Sequence, residues 1–495
     1  MMSGKYLGLF AGAGVCAVML ALPEPAGMTN AAKNAAAVVL LMSIWWISGA
    51  IPIYVTAFVP LAMFPLLKIL PADETAQNYG HSYVLMLLAG FVLAKAIESQ
   101  NLHRRIAFFL MSVFGASRRI ILLSIMVTVA FISMWISNVT TTMLMLPIVL
   151  AIIAQEEDGM SKSSNLPNAL LFGVAYSATI GGIGTLIGSP TNLIFAGIME
   201  KLFPNAPPIT FYGWLKIGFP VMLIFLPLVW IYLVKYFHVS GQLVQNVDLR
   251  NQELKNLGKM TTGEKGVLYI FFLAVLGWVF KDGFVFGNLV IPGWGSITGL
   301  DNYVHDSTIA MTCAILLFIL PAGHRKRLID WKQASQIPWG VVMIVGGGYA
   351  LAEGFKSTGL AEWIGNQLYF INTLPSLMVL FVVLLFILVF TEFNPNTATV
   401  NIFLPVLASM GIAAQTNPLL LMIPATIASS FSFMMPVGTG PNTVIFGSEK
   451  ITVSDMVKCG LGLKIISLIL LVLILYFVVM PSLHLQISLP SWALQ

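Results

Sequence analysis

Charge is what this sequence has least of. Asp, Glu, Lys and Arg make up 9% of the 495 residues, where a soluble domain carries about 25%. So few charges cannot cover a water-exposed surface, which excludes an ordinary soluble protein. Cysteine and histidine are nearly as scarce, at three and six residues. Cys16, Cys313 and Cys459 lie far apart in apolar surroundings, without disulfide or metal-ligand spacing, and read as small buried residues. The paired acids or histidine clusters that a membrane-embedded enzyme presents are missing as well. The net charge of +5 needs no nucleic acid, because cytoplasmic loops of membrane proteins are enriched in Lys and Arg.

What the sequence has in excess is apolar residues, 58% of the chain. Runs near 20 residues recur, the length that crosses a hydrocarbon core of about 30 Å. The reading is an all-α polytopic membrane protein rather than a barrel, whose strands would alternate over ten-residue segments. Spans are expected at 6–23, 34–52, 54–70, 81–98, 167–199, 211–237, 264–281, 305–321, 338–356, 418–448 and 456–481, about eleven transmembrane helices. The first reads as an uncleaved helix rather than a secretory signal, since the chain continues as membrane. Two further regions, 119–155 and 373–413, each carry a polar cluster at their centre and suit re-entrant hairpins with the cluster at the tip. "HRR", "SRR", the stretch Lys235 to Lys265 and "HRKRLIDWK" hold most of the basic residues. All fall on one side of this layout, which makes that side cytoplasmic, with the N-terminus inside and the C-terminus outside.

The polar clusters are related. "SMWISNVTTTMLMLP" (Ser133 to Pro147) overlays "TEFNPNTATVNIFLP" (Thr391 to Pro405) at a shift of 258 residues, which also pairs Gly90 with Gly348 and Asn138 with Asn396. A second pair follows: "GIGTLIGSPTN" (Gly182 to Asn192) resembles "PVGTGPN" (Pro436 to Asn442), with four extra residues in the first copy. Gly and Pro inside a crossing break the helical ladder, and freed carbonyls are tolerated only where they line a cavity or bind something. Two hairpins and two broken helices describe inverted repeats, the architecture of secondary transporters with a midplane site. The expected organisation is an N-terminal helix (1–33), a first repeat (34–237, hairpin 119–155, broken helix 167–199), a cytoplasmic linker (238–263) and a second repeat (264–495, hairpin 373–413, broken helix 418–448). A plainer reading, in which Ser, Thr and Asn only bond across to neighbouring helices, explains one cluster better than two at matching positions.

Hydroxyl, amide and carbonyl oxygens are hard, neutral ligands suited to an alkali cation, and unwound segments expose such carbonyls to Na⁺. Helix N-termini at a hairpin tip attract anions instead. Neither motif contains Lys, Arg or His, so a dianion there would be costly to desolvate unless bound cations offset its charge. Coupling of cation to anion follows naturally. Glu392 is the one acid in a motif, and Met134 stands at its counterpart. It reads as a structural or entry-side residue held by hydrogen bonds, with a part in a cation site as the alternative. Lys464 reads as snorkelling or paired, and the Gly-rich Val345 to Gly354 as close helix packing rather than a phosphate loop. His81 and His103 sit near span ends, where they mark the interface rather than ligate metal.

At these residues the sequence resembles the divalent anion–sodium symporter family, carriers of dicarboxylates, citrate and sulfate. "SMWISN", "TEF" with "NTAT", "GGIGTLIGSP" and "MMPVGTGPN" occur in the family's order and spacing, over nearly the whole chain. The resemblance implies a homodimer in the lipid bilayer, each protomer with a scaffold and a transport domain that moves like an elevator. It further implies one Na⁺ site from Ser133, Ser137, Asn138 and the carbonyl of Gly184. A second would come from Thr391, Asn394, Asn396 and the carbonyl of Gly438. Asn138, Asn396 and Thr397 would contact the anion, with Thr185 and Thr439 nearby. The family's paired Ser-Asn-Thr is altered here to Ser137-Asn138-Val139 and Pro395-Asn396-Thr397, and Asn394 stands where a small residue is usual. Losing one hydroxyl should weaken the anion site by about 0.5–1.5 kcal/mol.

The expected function is therefore Na⁺-driven uptake of a divalent anion, foremost a C4-dicarboxylate (succinate, malate or fumarate), across a prokaryotic inner membrane. A Na⁺/sulfate symporter is the nearest alternative and a Na⁺-independent dicarboxylate exchanger the next. A channel would not require two intact sites of both charges, and no catalytic constellation supports an enzyme.

Overall fold

A computed structural model describes residues 2–112, 117–158, 165–241, 255, 257–286, 289–323 and 326–494. Most of the expected linker, 242–254 and 256, lies outside the described residues. Helices dominate. The only strands among the described residues are two short antiparallel ladders, Phe284–Phe286 with Leu289–Ile291 and Pro321–Gly323 with Lys326–Arg327. In chain order the principal helices of the first part are α1 Met2–Ala21, α2 Asn30–Ser48, α3 Ser82–Ser99, α4 Leu102–Ser112, α5 Arg118–Ser133, α6 Asn138–Asp158, α7 Leu166–Ile183, α8 Pro190–Leu202 and α9 Phe211–Tyr236. The remainder are α10 Thr262–Val279, α11 Asp306–Ile319, α12 Trp339–Ser357, α13 Leu360–Gln367, α14 Ser376–Phe390, α15 Asn396–Ala413, α16 Leu419–Ser430, α17 Gly440–Phe446 and α18 Val453–Ile474. The last continues through a π turn at Leu475–Val479.

One expected span fails. The stretch 54–70 is not a single crossing but two short helices, Ile53–Thr56 and Val59–Leu66. Pro60, at the start of the second helix, explains the interruption, because it has no N–H for the Thr56 carbonyl and crowds the preceding turn. Pro65 instead lies within the second helix, which ends one residue later. The other expected spans and both hairpins correspond to helices within a few residues. The three cysteines are buried and free.

Two packing features place the site. Helix α7 is buried over almost its whole length, wedged between hairpin 1 (α5, α6) and α9. Helix α16 is likewise buried throughout and packs on hairpin 2 (α14, α15). The continuation of each broken helix then leans on the other half: α8 packs on α15 and α16, and α17 on α6 and α7. The two polar regions are thereby interlocked. Close approach depends on small residues, as on α12, where a Cβ on Gly347 would lie 2.6 Å from the Ala57 carbonyl and one on Gly348 1.9 Å from Asn401 Oδ1. The Gly-rich segment is a packing face, as the sequence suggested.

Candidate functional site

Each hairpin turns through a few residues that stop one helix and start the next. Hairpin 1 turns at Met134–Ser137, where Trp135 and Ile136 both donate their N–H to the Ile132 carbonyl. The Ser137 hydroxyl then accepts the Thr140 N–H at 3.2 Å, the usual N-cap bond. In hairpin 2 the same position is Pro395, with φ −57° and no side-chain cap. A ring that fixes φ near −65° starts α15 by rigidity where Ser137 starts α6 by hydrogen bonding. This accounts for one of the two departures from the paired motif.

Behind each tip lies a cluster of oxygens. Ser133 Oγ is 2.8 Å from Asn138 Oδ1 and 2.7 Å from the Ala178 carbonyl, and is fully buried. Thr391 Oγ1 is 3.1 Å from Asn396 Oδ1, also donates to the Ser429 carbonyl, and is equally buried. One hydroxyl proton cannot serve two acceptors at full strength, so each cluster holds more oxygen than protein donors satisfy. Asn394, 2% exposed beside the second cluster, donates to the Phe390 carbonyl while its Oδ1 has no partner among the described residues. A buried carbonyl oxygen left this way asks for a ligand. Neutral oxygens converging without donors are the donor set an alkali cation takes.

The helix breaks correspond more closely in space than in sequence. Asn192 Nδ2 donates to the carbonyls of Gly182 (3.0 Å) and Thr185 (2.8 Å). Asn442 Nδ2 donates to those of Ser432 and Met435, both at 3.1 Å. Every partner is shifted by 250 residues, with no insertion. The residues preceding α8 and α17 also match: Ser189 has φ −138° and ψ 138°, Thr439 φ −136° and ψ 151°. The counterpart of Gly438-Thr439 is therefore Gly188-Ser189, and Gly184-Thr185 corresponds to Met434-Met435. The repeated Gly-Thr string misplaced this pairing by four residues. Gly recurs at short intervals in the first break, and only the asparagine that folds back over the loop fixes the register.

A cavity of about 810 Å³ joins the four segments, lined by Ser137–Thr140, Gly188–Thr191, Pro395–Thr397 and Val437–Pro441. Asn138, Asn396, Thr397, Gly438 and Thr439 face it, while Ser133, Thr391 and Asn394 lie beneath the tips. Two of the expected residues lie away from the cavity. Thr185 is fully buried away from the cavity, donating its hydroxyl to the Met134 carbonyl at 2.5 Å and accepting the Gly188 N–H at 3.1 Å. Gly184 ends α7, packed against Met134 and Met222, and does not line the cavity either. Gly188, Ser189, Thr191 and Thr140 are lining residues that the motif comparison passed over. Ser189-Pro190 was a readable helix start, whereas the bond between the Thr140 and Ser137 hydroxyls, 2.9 Å, required the fold.

The cavity carries little net positive side-chain charge. Lys95 lines it but is paired with Glu98 at 3.0 Å. His103 also lines it, and burial lowers its pKa below the ordinary imidazole range, so it is neutral at pH 7. Positive potential comes instead from helices α6, α8 and α15, which all begin at the cavity. The Val139 methyls fill the place of the missing hydroxyl, against the bare backbone of Gly440, where a Cβ would lie 2.2 Å from Val139 Cγ2.

The family model described as the sodium:sulfate symporter transmembrane region matches residues 3–483. The chain belongs to this symporter family. The symporter is 37% identical to a protein named sodium-dependent dicarboxylate transporter SdcS from Staphylococcus saprophyticus, over 98% of this chain and 94% of that one. It is also 37% identical to a protein of the same name as that relative, from Staphylococcus aureus, over 99% of this chain and 94% of that one. Among solved structures it resembles MtrF of Neisseria gonorrhoeae (TM-score 0.53, 12% identity, 97% of this chain and 94% of the other). It also resembles the YdaH transporter of Alcanivorax borkumensis (TM-score 0.52, 14% identity, 98% of each). At such identities the structural likeness speaks for the fold alone. The symporter is a multi-pass membrane transporter and not an enzyme.

Proposed function

We propose that the chain couples Na⁺ entry to uptake of a divalent anion, a C4-dicarboxylate such as succinate, across a bacterial plasma membrane. The observation that carries this reading is the pair of matched oxygen clusters beneath two hairpin tips that share one cavity. Na⁺ binds at Ser133, Ser137 and Asn138 with the carbonyl of Gly188 in place of Gly184. A second Na⁺ binds at Thr391, Asn394 and Asn396 with the carbonyl of Gly438. The anion sits between, on Asn138, Asn396, Thr397 and Thr439, with Ser189 replacing Thr185. Two cations balance a dianion held between tips whose motifs contain no Lys, Arg or His, so neither species binds well alone. The halves 34–237 and 264–495 act as inverted repeats, and the body formed by the hairpins and broken helices moves past the rest in a homodimer. Dicarboxylate rather than sulfate is supported by the names of the relatives.

Uptake of labelled succinate into proteoliposomes tests the reading. An inward Na⁺ gradient drives accumulation, replacement of Na⁺ by K⁺ removes it, and excess unlabelled sulfate leaves it unchanged. Na⁺-driven sulfate uptake without succinate uptake would move the substrate, and indifference to Na⁺ would refute the cation sites.

A further inference from the structure

One buried pair of opposite charges lies outside the cavity and supplies neither the anion nor the cation ligands proposed for it. Glu392 and Lys464 are 3% and 8% exposed, with Lys464 Nζ 2.7 Å from Glu392 Oε1. Glu392 directly follows Thr391 at the tip of hairpin 2. Lys464 comes from α18, whose start is fixed by a reciprocal capping box between Thr452 and Asp455.

Both charges are fully engaged. Glu392 Oε1 also accepts the Phe433 N–H at 2.9 Å, and Oε2 accepts the Ser432 hydroxyl at 2.8 Å and the Met434 and Met435 N–H groups at 3.0 Å. Lys464 donates in addition to the Leu388 carbonyl, near the end of α14, and to the Phe431 carbonyl at 2.6 Å, just past the end of α16. One carboxylate thus gathers three consecutive amides of the second helix break, and one ammonium ties the hairpin to the helix that breaks.

The first half does this without charge. Met134 stands in place of Glu392, and the Thr185 hydroxyl bridges its carbonyl to the Gly188 N–H. The second break spans 431–439 and the first only 184–189. A longer unwound stretch frees more N–H groups, and away from water each needs an acceptor. Holding an N–H also fixes the carbonyl across the same peptide plane. The Phe433 carbonyl accordingly meets the Tyr176 hydroxyl at 2.9 Å. The loop then lies so flush on the tip that a Cβ on Gly438 would fall 1.7 Å from Ser432 Oγ and 3.2 Å from the Glu392 carbonyl oxygen.

We propose that Lys464 and Glu392 are positioning residues for the second cation site, orienting the break that carries Gly438 against Thr391 and Asn394 without adding net charge beside the cation. The proposal rests on the Na⁺-symport reading. A buried ion pair seldom adds stability over an apolar replacement, so a purely structural role would not require these charges.

The test is Na⁺ titration of thermal unfolding of the purified full chain, at constant ionic strength with K⁺, beside Na⁺ activation of uptake in proteoliposomes. Lys464→Met and the neutral double variant Glu392→Gln/Lys464→Met should each raise half-saturating Na⁺ by about tenfold, equivalent to about 1.4 kcal/mol, and Lys464→Arg should recover most of it. Lys281→Met removes a comparable buried pair with Asp306, 2.9 Å, and should lower the melting temperature without moving the Na⁺ midpoint. If Lys464→Met does not fold, the double variant decides. An unchanged Na⁺ midpoint in either folded variant overturns the proposal. Absence of any Na⁺ response in the unmodified chain would instead refute the symport reading, and the proposal with it.

Discussion

Alanine at Asn138 or at Asn396 is expected to abolish coupled uptake while leaving the fold intact. In the proposed site each amide ligates a cation through Oδ1, which meets the Ser133 or Thr391 hydroxyl, and donates to the anion through Nδ2 at the start of α6 or α15. Hydrogen bonds to charged groups contribute about 1.5–3 kcal/mol each, so losing two of them lowers uptake about a hundredfold or more. The fold should survive because both residues begin their helices at the cavity wall rather than inside the apolar core. Purified variants with near-normal melting temperature and no Na⁺-dependent uptake would match the account. Near-normal uptake by both would remove these residues from the site.

Valine at Gly188 or Gly438 should be as damaging by a different route. A Cβ on Gly188 would lie 2.7 Å from the Gly182 carbonyl oxygen and 2.9 Å from that of Met134, both backbone atoms that cannot swing aside. At Gly438 the added carbon meets Ser432 Oγ, which is bound to Glu392. Either substitution pushes the break off the hairpin tip and separates carbonyl from hydroxyl oxygens. Even a displacement of about 1 Å in a preorganised site costs about a hundredfold. Expected results are loss of uptake and of Na⁺-dependent thermal stabilisation in both variants. By contrast, Gly14 has nothing within 4 Å of its Cβ position, and Gly14→Val should transport normally.

Much of this architecture was legible because its signals are local. Hydroxyl-amide clusters inside apolar runs marked the hairpin tips, and Gly with Pro inside a crossing marked the breaks. The span at 54–70 failed because composition alone does not weigh Pro60 against an apolar run. The pairing of Gly184-Thr185 with Gly438-Thr439 missed the register because equivalence in the breaks is set by Asn192 and Asn442 folding back, a relation with no trace in a Gly-Thr string. The Glu392–Lys464 pair was beyond reach for a related reason. Its partners are 72 residues apart, and nothing near either residue announces the other. That Ser137 and Pro395 do the same job at the two tips became plain only from the backbone, since one caps by hydrogen bonding and the other by ring geometry.

If cations and anion occupy one site, each should stabilise the other there. Equilibrium succinate binding to the purified protein, titrated at several Na⁺ concentrations against K⁺, tests it most directly, together with Na⁺ binding at several succinate concentrations. Linkage requires the factor by which Na⁺ tightens succinate to equal the factor by which succinate tightens Na⁺. That factor should be at least about tenfold, a coupling of about 1.4 kcal/mol, and should be lost in Asn138→Ala and Asn396→Ala. Succinate binding of equal affinity in Na⁺ and K⁺ would contradict it.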